Sequence, residues 1–425
     1  MKPVPCLKTA LSGPLLGLEK SILDGQVEIE AWFREQWQQL AAPVYGSVDL
    51  RNAGFKIAPV DMNLYPAGFN NLNKDFLPLG SQAVHATLVS RYPNCKRIII
   101  VPENHTRNLF YWENIVAQKT IIENAGFDVR IGSVIPDLTE TLKMDLPSGA
   151  GLDVFPLERS GDRVHVGDFD PCVIWLNNDL SDGEPDILKG LEQTIQPGTE
   201  LGWHKRLKSV HFNHYQQVAE SFATVIDIDP WLVNPLFQQC GKVNFMQREG
   251  EDCLARNVEL LLTEIQKKYD EYGIKEAPFV VIKADAGTYG MSVMTVKSAK
   301  EVLALNRKQR TKMAASKGAH SVTRVIMQEG VYSFETLSDE KTVAEPVVYM
   351  VGEYVIGGFY RVHKNKGPDE SLNAPGMHFE PLEFAAPCSP DKSLPADECS
   401  NRFYAYGVIA RLSMLAAARE QADYQ

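Results

Sequence analysis

Lys283 stands at the end of an apolar, β-branched run, FVVIK (279–283), and the chain then breaks into a loop carrying Gly287 and Gly290 before β character resumes over 292–296. Glycines let backbone come close to a ligand and turn N–H groups inward, and a lysine at a strand end adds a point charge suited to phosphate. The chemical reading is a lid over a nucleotide, although an ordinary hairpin with an exposed lysine has the same local pattern. A second group lies in FKIAPVDMNLYPAGFNNLN (55–73). A strand over 55–60 that runs into Asp61-Met62-Asn63 puts the Asp61 carboxylate and the Asn63 amide oxygen on one face, because alternate strand side chains point the same way. Two hard oxygens suit Mg²⁺. Asn70 and Asn71 follow in turn chemistry rich in amide donors and acceptors, and such side chains also satisfy their own backbone.

Further candidates sit at strand ends. Glu103, His105 and Arg107 follow KRIIIVP (96–102), and Asn177, Asn178 and Asp179 close PCVIWLNND (171–179). Arg107 could hold a substrate carboxylate bidentately, whereas His105 reads better as a structural hydrogen-bonding residue. Lys205, Arg206 and Lys208 precede a helix, whose amino terminus already favours anions; a solvated basic face is the simpler reading of any one of them. The run Gln328-Glu329-Gly330-Val331 after TRVIM can offer backbone edges to an adenine and a carboxylate to a ribose. Arg361 ends a hairpin over 345–362, where it could neutralise charge on a transferred phosphoryl group. Asn373 lies in the loop that follows, 363–377.

The elements that must position these residues are partly legible. Residues 19–42 carry helical periodicity interrupted near Gly25. Residues 96–134 give strand, helix (108–125) and strand, a βαβ unit whose ligands belong at the carboxyl ends of the strands. Loops or a hairpin are expected over 136–170 and a helix around 185–195. Further helices are predicted after Lys208, over 252–271 with Gly273 as its stop, over 298–307 and over about 400–422; residues 308–320 read as a basic, mobile stretch.

The composition narrows the class. The chain has 425 residues, 44% hydrophobic and 23% charged, enough for two or three domains with a sizeable core. A net charge of -11 disfavours nucleic acid and anionic membranes as partners but leaves room for a local basic cleft. The cysteines at 6, 95, 172, 240, 253, 388 and 399 show no CxxC pair, so neither a zinc site nor a disulfide framework is expected, and a reducing cytoplasm is. No run of apolar residues is long enough to span a bilayer, and the first residues lack a convincing cleavage site, which argues against secretion.

The order of Lys283 with its glycine loop, Gln328-Glu329-Gly330-Val331 and the hairpin ending in Arg361 resembles the ATP-grasp superfamily of carboxylate-amine ligases. Within it the chain is most similar to the glutathione-synthetase-like branch, and more closely to a bacterial glutamate-cysteine ligase family. VDMNLYPAGFNNL and VIKADAGTYGMSVM are the most family-like phrases, and the likeness extends over nearly the whole chain. The fold it implies is α/β (α+β): an amino-terminal segment (1–80), a Rossmann-like substrate domain (81–200) and an ATP-grasp domain (201–425) with its lid at about 276–332. One departure is that no Glu-x-Asn metal motif follows Arg361. Asp61-Met62-Asn63 has similar character, which implies a permuted arrangement like that of eukaryotic glutathione synthetases and requires residues 55–66 to lie against the 340–362 hairpin.

The resemblance also implies roles. Lys283 and Arg361 would be catalytic; Lys208, Lys283, Gly287, Tyr289, Gly290, Gln328, Glu329 and Val331 would hold ATP. Asp61, Asn63 and Asp285 would hold Mg²⁺, and Asn70, Asn71, Arg107, Asn178 and Asn373 the substrates. The implied reaction joins glutamate, through its γ-carboxylate, to cysteine by way of an acyl phosphate. Glutathione synthetase or another ligase on the same fold is the nearest alternative, and a catalytically silent nucleotide-binding regulatory module is the alternative from a different class. Small-molecule substrates are the expected partners, and assembly into a homo-oligomer stays open.

Overall fold

A computed structural model describes residues 14–104, 108–136, 138–287, 292–314, 321–337, 342–382 and 403–424. The sheet that organises the molecule is built from both ends of the chain. Its strands run in the order His378–Pro381, Tyr354–His363, Thr342–Val351, Tyr45–Asn52 and Ile57–Asn63, and every neighbour is antiparallel. Residues 57–63 therefore lie in the same sheet as the 342–363 hairpin, one strand removed from it. The alternation of side chains splits the sheet into two faces. Val48, Leu50, Met62, Val348 and Met350 pack with the carboxyl-terminal helix Phe403–Ala422, which is apolar and buried nearly all round. The opposite face carries the polar residues described below.

The βαβ unit is present: Arg97–Pro102, helix Leu109–Asn124 and Asp128–Ser133, with the two strands parallel. Asn108 caps the helix by accepting from the Tyr111 N–H. The full sheet has six strands, with Thr194–Gln196 and Val173–Asn177 on one side of the unit and Gly151–Pro156 and Leu142–Asp145 on the other; only the last pairing is antiparallel. A third sheet, Phe237–Cys240, Val325–Glu329, Val280–Ala284 and Val293–Val296, is antiparallel throughout and contains Lys283. Gly330 follows its second strand, at a place where a Cβ would strike the Phe279 ring. Behind this sheet, helix Glu251–Tyr272 stops at Gly273, which takes the left-handed conformation at φ 67°.

Three expectations are corrected. No α-helix occupies 185–195; a single 3₁₀ turn, Asp186–Leu188, leads to the short strand Thr194–Gln196. Part of the basic stretch after 307 is the helix Arg307–Ala314, held by Met313 in the core. Cys95 and Cys172 form a disulfide across a separation of 77 residues, because each precedes one of two adjacent parallel strands. Cys240 and Cys253 remain thiols. Among the described residues no helix is long and apolar enough to cross a membrane.

Candidate active site

Residues directly opposite on neighbouring strands share a face, so the registers determine what the central sheet presents. Ser47 stands opposite Asn63 and Tyr349, Asp49 opposite Asp61 and Val347, and Glu345 opposite Arg361. Ser47, Asp49, Asp61, Asn63, Glu345 and Arg361 thus form one polar field. The Lys283 sheet faces it, and the same rule puts Val281, Lys283, Val293, Thr295 and Gln328 on its inner side.

Between the two sheets lies a cleft of about 100 Å³ bordered by Asp49, Asp61, Lys283, Gln328, Arg361 and Asn373. A second cavity of about 210 Å³ shares Asp49, Asp61, Arg361 and Asn373 with it and extends past Asn63 to Tyr65, Glu103 and Asp179 at the carboxyl end of the parallel sheet. The two spaces therefore meet over one floor.

Charge in the cleft is dense and incompletely paired. Lys283 Nζ donates to the Val60 carbonyl at 2.6 Å and to Gln328 Oε1 at 2.7 Å. Burial lowers its pKa to about 8, with Lys208 and Arg51 pushing the same way and Asp61 and Asp49 opposing. Lys208 Nζ grips both Asp61 oxygens at 2.6 and 2.8 Å. Burial alone would raise the Asp61 pKa, but Lys208, Lys283 and Arg206 together hold it below the ordinary carboxylate range. Asp49 shifts the other way: burial, with Asp61 and Glu345 nearby, outweighs Arg361 and raises it. Arg361 donates through both Nη atoms to Asp49 Oδ2 at 3.1 Å and lies 3.5 Å from Glu345 Oε2. Arg361 Nε and Gln328 Nε2 are shielded from solvent and have no hydrogen-bond partner among the described residues. Buried donors of that kind call for an explanation, and beside a cavity a ligand's oxygens supply one.

Neighbouring elements fix this floor. Arg206 is buried, pairs with Glu420 of the carboxyl-terminal helix and donates to the Met62 carbonyl at 2.7 Å, locking the strand between Asp61 and Asn63. Arg51 donates to the carbonyls of Val331 and Glu370 and pairs with Glu345, so it staples the strand end after Gln328 to the loop bearing Asn373.

The structure brings Lys283, Gln328, Val331, Asp61, Asn63, Arg361 and Asn373 to the two cavities, with Lys208 behind Asp61. Others it assigns elsewhere. Glu329 borders the cleft, yet its carboxylate turns to the opposite face, where it accepts from Lys56 Nζ at 2.7 Å, Trp231 Nε1 at 3.2 Å and the Leu236 N–H at 2.9 Å. No oxygen is left for a ribose; if Gln328 faces the cleft, period two sends Glu329 away. The N–H groups of Glu329 and Gly330 donate to the carbonyls of Leu236 and Phe279, so those two donors of this edge are already used within the protein.

Asp285 is likewise not on the floor. It is 1% exposed, and its two oxygens accept from the Ser209 N–H and Oγ at 2.8 Å each, capping helix Lys208–Val225 in place of a residue of that helix. The expected metal ligand is a cap. Asn178 accepts from Leu180 N–H and lines neither cavity, while the adjacent Asp179 does. Asn70 and Asn71 line neither; Asn71 ends a 3₁₀ turn whose start is held by Asn114. Gly287 borders a different cavity. His105, Arg107, Tyr289 and Gly290 lie outside the described residues. Asp49, Arg51 and Glu345 were not anticipated, although Ser47-x-Asp49-x-Arg51 alternates polar residues through an apolar strand, the mark of one wet face.

The model of the glutamate-cysteine ligase family matches residues 19–421. The chain belongs to the glutamate-cysteine ligase family. A crystal structure from Methylobacillus flagellatus KT that carries the name gamma-glutamylcysteine synthetase is 55% identical, with a TM-score of 0.91 over 99% of each chain. A glutathione synthetase-like effector from Globodera pallida is 8% identical with a TM-score of 0.36, over 85% of this chain and 83% of its own. A D-alanyl-alanine synthetase A from Vibrio cholerae is 9% identical with a TM-score of 0.33, over 75% and 81%. The last two are too remote to carry an argument. No curated protein matches the chain significantly. Family membership makes this glutamate-cysteine ligase an ATP-dependent enzyme rather than a silent module.

Proposed function

We propose that this glutamate-cysteine ligase works through an acyl phosphate on an ATP-grasp core whose metal-binding strand comes from the amino-terminal side of the sequence. The carrying observation is that Asp49, Asp61, Arg361 and Asn373 border both the cleft under Lys283 and the adjoining cavity. A phosphate chain laid beneath Lys283 would end where a carboxylate from the second cavity arrives. In the first step an oxygen of the glutamate γ-carboxylate bonds to the γ-phosphorus of ATP and the bond to ADP breaks. In the second the amine of cysteine bonds to the acyl carbon, the carbon–oxygen bond breaks and phosphate leaves; the ammonium sheds two protons, one of which phosphate takes up. No protein nucleophile is required. The chain's own residues position the groups and stabilise charge: Lys283 on the phosphates, and Arg361 on the transferred phosphoryl group.

The donor set fits Mg²⁺. Among the described residues no three His, Cys, Asp or Glu side chains gather into a cage, and Mg²⁺ is ordinarily held by one or two carboxylates with substrate phosphates and water. Asp61, on releasing an oxygen from Lys208, and Asn63, with Asp49 beside them, would hold it. Bound there, the ion would offset phosphate charge and align the transferring group.

Glutamate labelled with ¹⁸O in its γ-carboxylate tests the reading. Transfer of one ¹⁸O to inorganic phosphate in each turnover is expected; unlabelled phosphate would rule out the acyl phosphate.

A further inference from the structure

Resting on that reading, a third space remains to be assigned. A cavity of about 370 Å³ opens beside the two already described, bordered by Ser181, Asp182, Trp203, His204, Gly287 and Arg324. It lies where ligand sites are expected in a parallel sheet: Ser181 and Asp182 follow the carboxyl end of Val173–Asn177. Gly287 comes from the lid loop and Arg324 immediately precedes Val325–Glu329.

Trp203 joins this cavity to the reacting centre. It borders both this space and the cavity containing Asp61 and Arg361. Lys208 Nζ lies 4.3 Å from the Trp203 ring centroid and reaches Asp61 Oδ1 at 2.6 Å, so this space adjoins the catalytic floor through Trp203. Its lining is polar and unfinished. Ser181 Oγ and His204 Nε2 are shielded from solvent without a hydrogen-bond partner among the described residues. Arg324, 48% exposed, has Asp285 as a distant ion partner at 3.7 Å.

We propose that this cavity is the acceptor subsite and takes free cysteine as its zwitterion. The reaction needs three substrates, and the first two spaces share the floor on which the phosphate and the donor carboxylate must meet. The third substrate needs a cation for its carboxylate, polar groups for its small side chain and a short path for its amine. Arg324 supplies the cation, Ser181 and His204 the polar groups, and the amine would reach the acyl carbon past the edge of Trp203, which both spaces border.

The test compares two nucleophiles in the full-length enzyme with Mg-ATP and glutamate. Cysteine needs the subsite, whereas hydroxylamine traps the acyl phosphate as γ-glutamyl hydroxamate without it. Arg324→Ala removes the cation, and Ser181→Phe fills the cavity. Loss of one charge-assisted hydrogen bond corresponds to roughly ten- to hundredfold in affinity, so each variant should raise the KM for cysteine at least about tenfold. The KM values for glutamate and ATP and the rate of hydroxamate formation should stay within about twofold, and Arg324→Lys should restore part of the cysteine KM. An unchanged cysteine KM in both variants, or a hydroxamate rate that falls as far as the cysteine reaction, would overturn the assignment. If the wild-type enzyme makes no hydroxamate from glutamate, the acyl-phosphate reading itself fails and the subsite falls with it.

Discussion

Two clusters of buried charge stand back to back across the strand Val325–Glu329, and among the described residues only one of them opens on a cavity. On one side Glu329 meets Lys56, which is fully buried, capped by the Trp231 ring at 4.1 Å and fixed at 2.7 Å from the carboxylate. Its oxygens are all engaged. On the other side Gln328 meets Lys283, and there Gln328 Nε2 and Arg361 Nε have no partner among the described residues and lie beside a cavity. Burial lowers both lysines to about 8, each against the pull of a neighbouring carboxylate. Similar titration on the two sides therefore does not identify function. The cavity does: the cluster closed off from any cavity holds the strand, and the one whose unpartnered donors face a cavity has room for a substrate.

Mutation should separate the two. On the open side, Lys283→Ala and Arg361→Ala should each lower turnover by roughly 10²–10³ while circular dichroism and melting stay near wild type, since each removes a charge acting on the phosphoryl group. On the sealed side, Lys56→Met leaves Glu329 buried and unpaired, which should cost about 3–5 kcal/mol in denaturant unfolding. The remaining folded enzyme should keep most of its turnover. A Lys56→Met enzyme of normal stability and very low turnover would reverse the comparison.

Smaller effects sharpen it. Asp285→Asn weakens a helix cap and should cost about 1 kcal/mol without changing the Mg²⁺ concentration needed for half-maximal activity; a large rise in that requirement would restore Asp285 as a metal ligand. The pH dependence should be the mildest signal. Lys283 is charged below a pKa of about 8 and neutral above it, so the KM for ATP should rise as pH passes through 8. Lys283→Arg, charged throughout, should flatten that rise.

Much of this was legible in the residues. The βαβ unit, the hairpin carrying Arg361 and the strand carrying Lys283 follow from local periodicity, and local patterns are what a sequence exposes. The floor of the site was harder, because it depends on pairing between strands some 300 residues apart. Asp49 reaches the site only because Tyr45–Asn52 inserts between Thr342–Val351 and Ile57–Asn63. Nothing near Asp49 announces that partner. Glu329 and Asp285 show the opposite failure: their residue types suit a ribose and a metal, but the alternation of one strand and the bare amino terminus of a distant helix claim their carboxylates first. The disulfide between Cys95 and Cys172 has the same origin, since only the neighbouring parallel strands bring the two cysteines together.

The most direct measurement is ADP release with Mg-ATP under two substrate pairs, glutamate with cysteine and γ-glutamylcysteine with glycine. Release with the first pair and none with the second is the predicted result. Release with the second pair alone, or with neither, would contradict the assignment of this site to the joining of glutamate and cysteine.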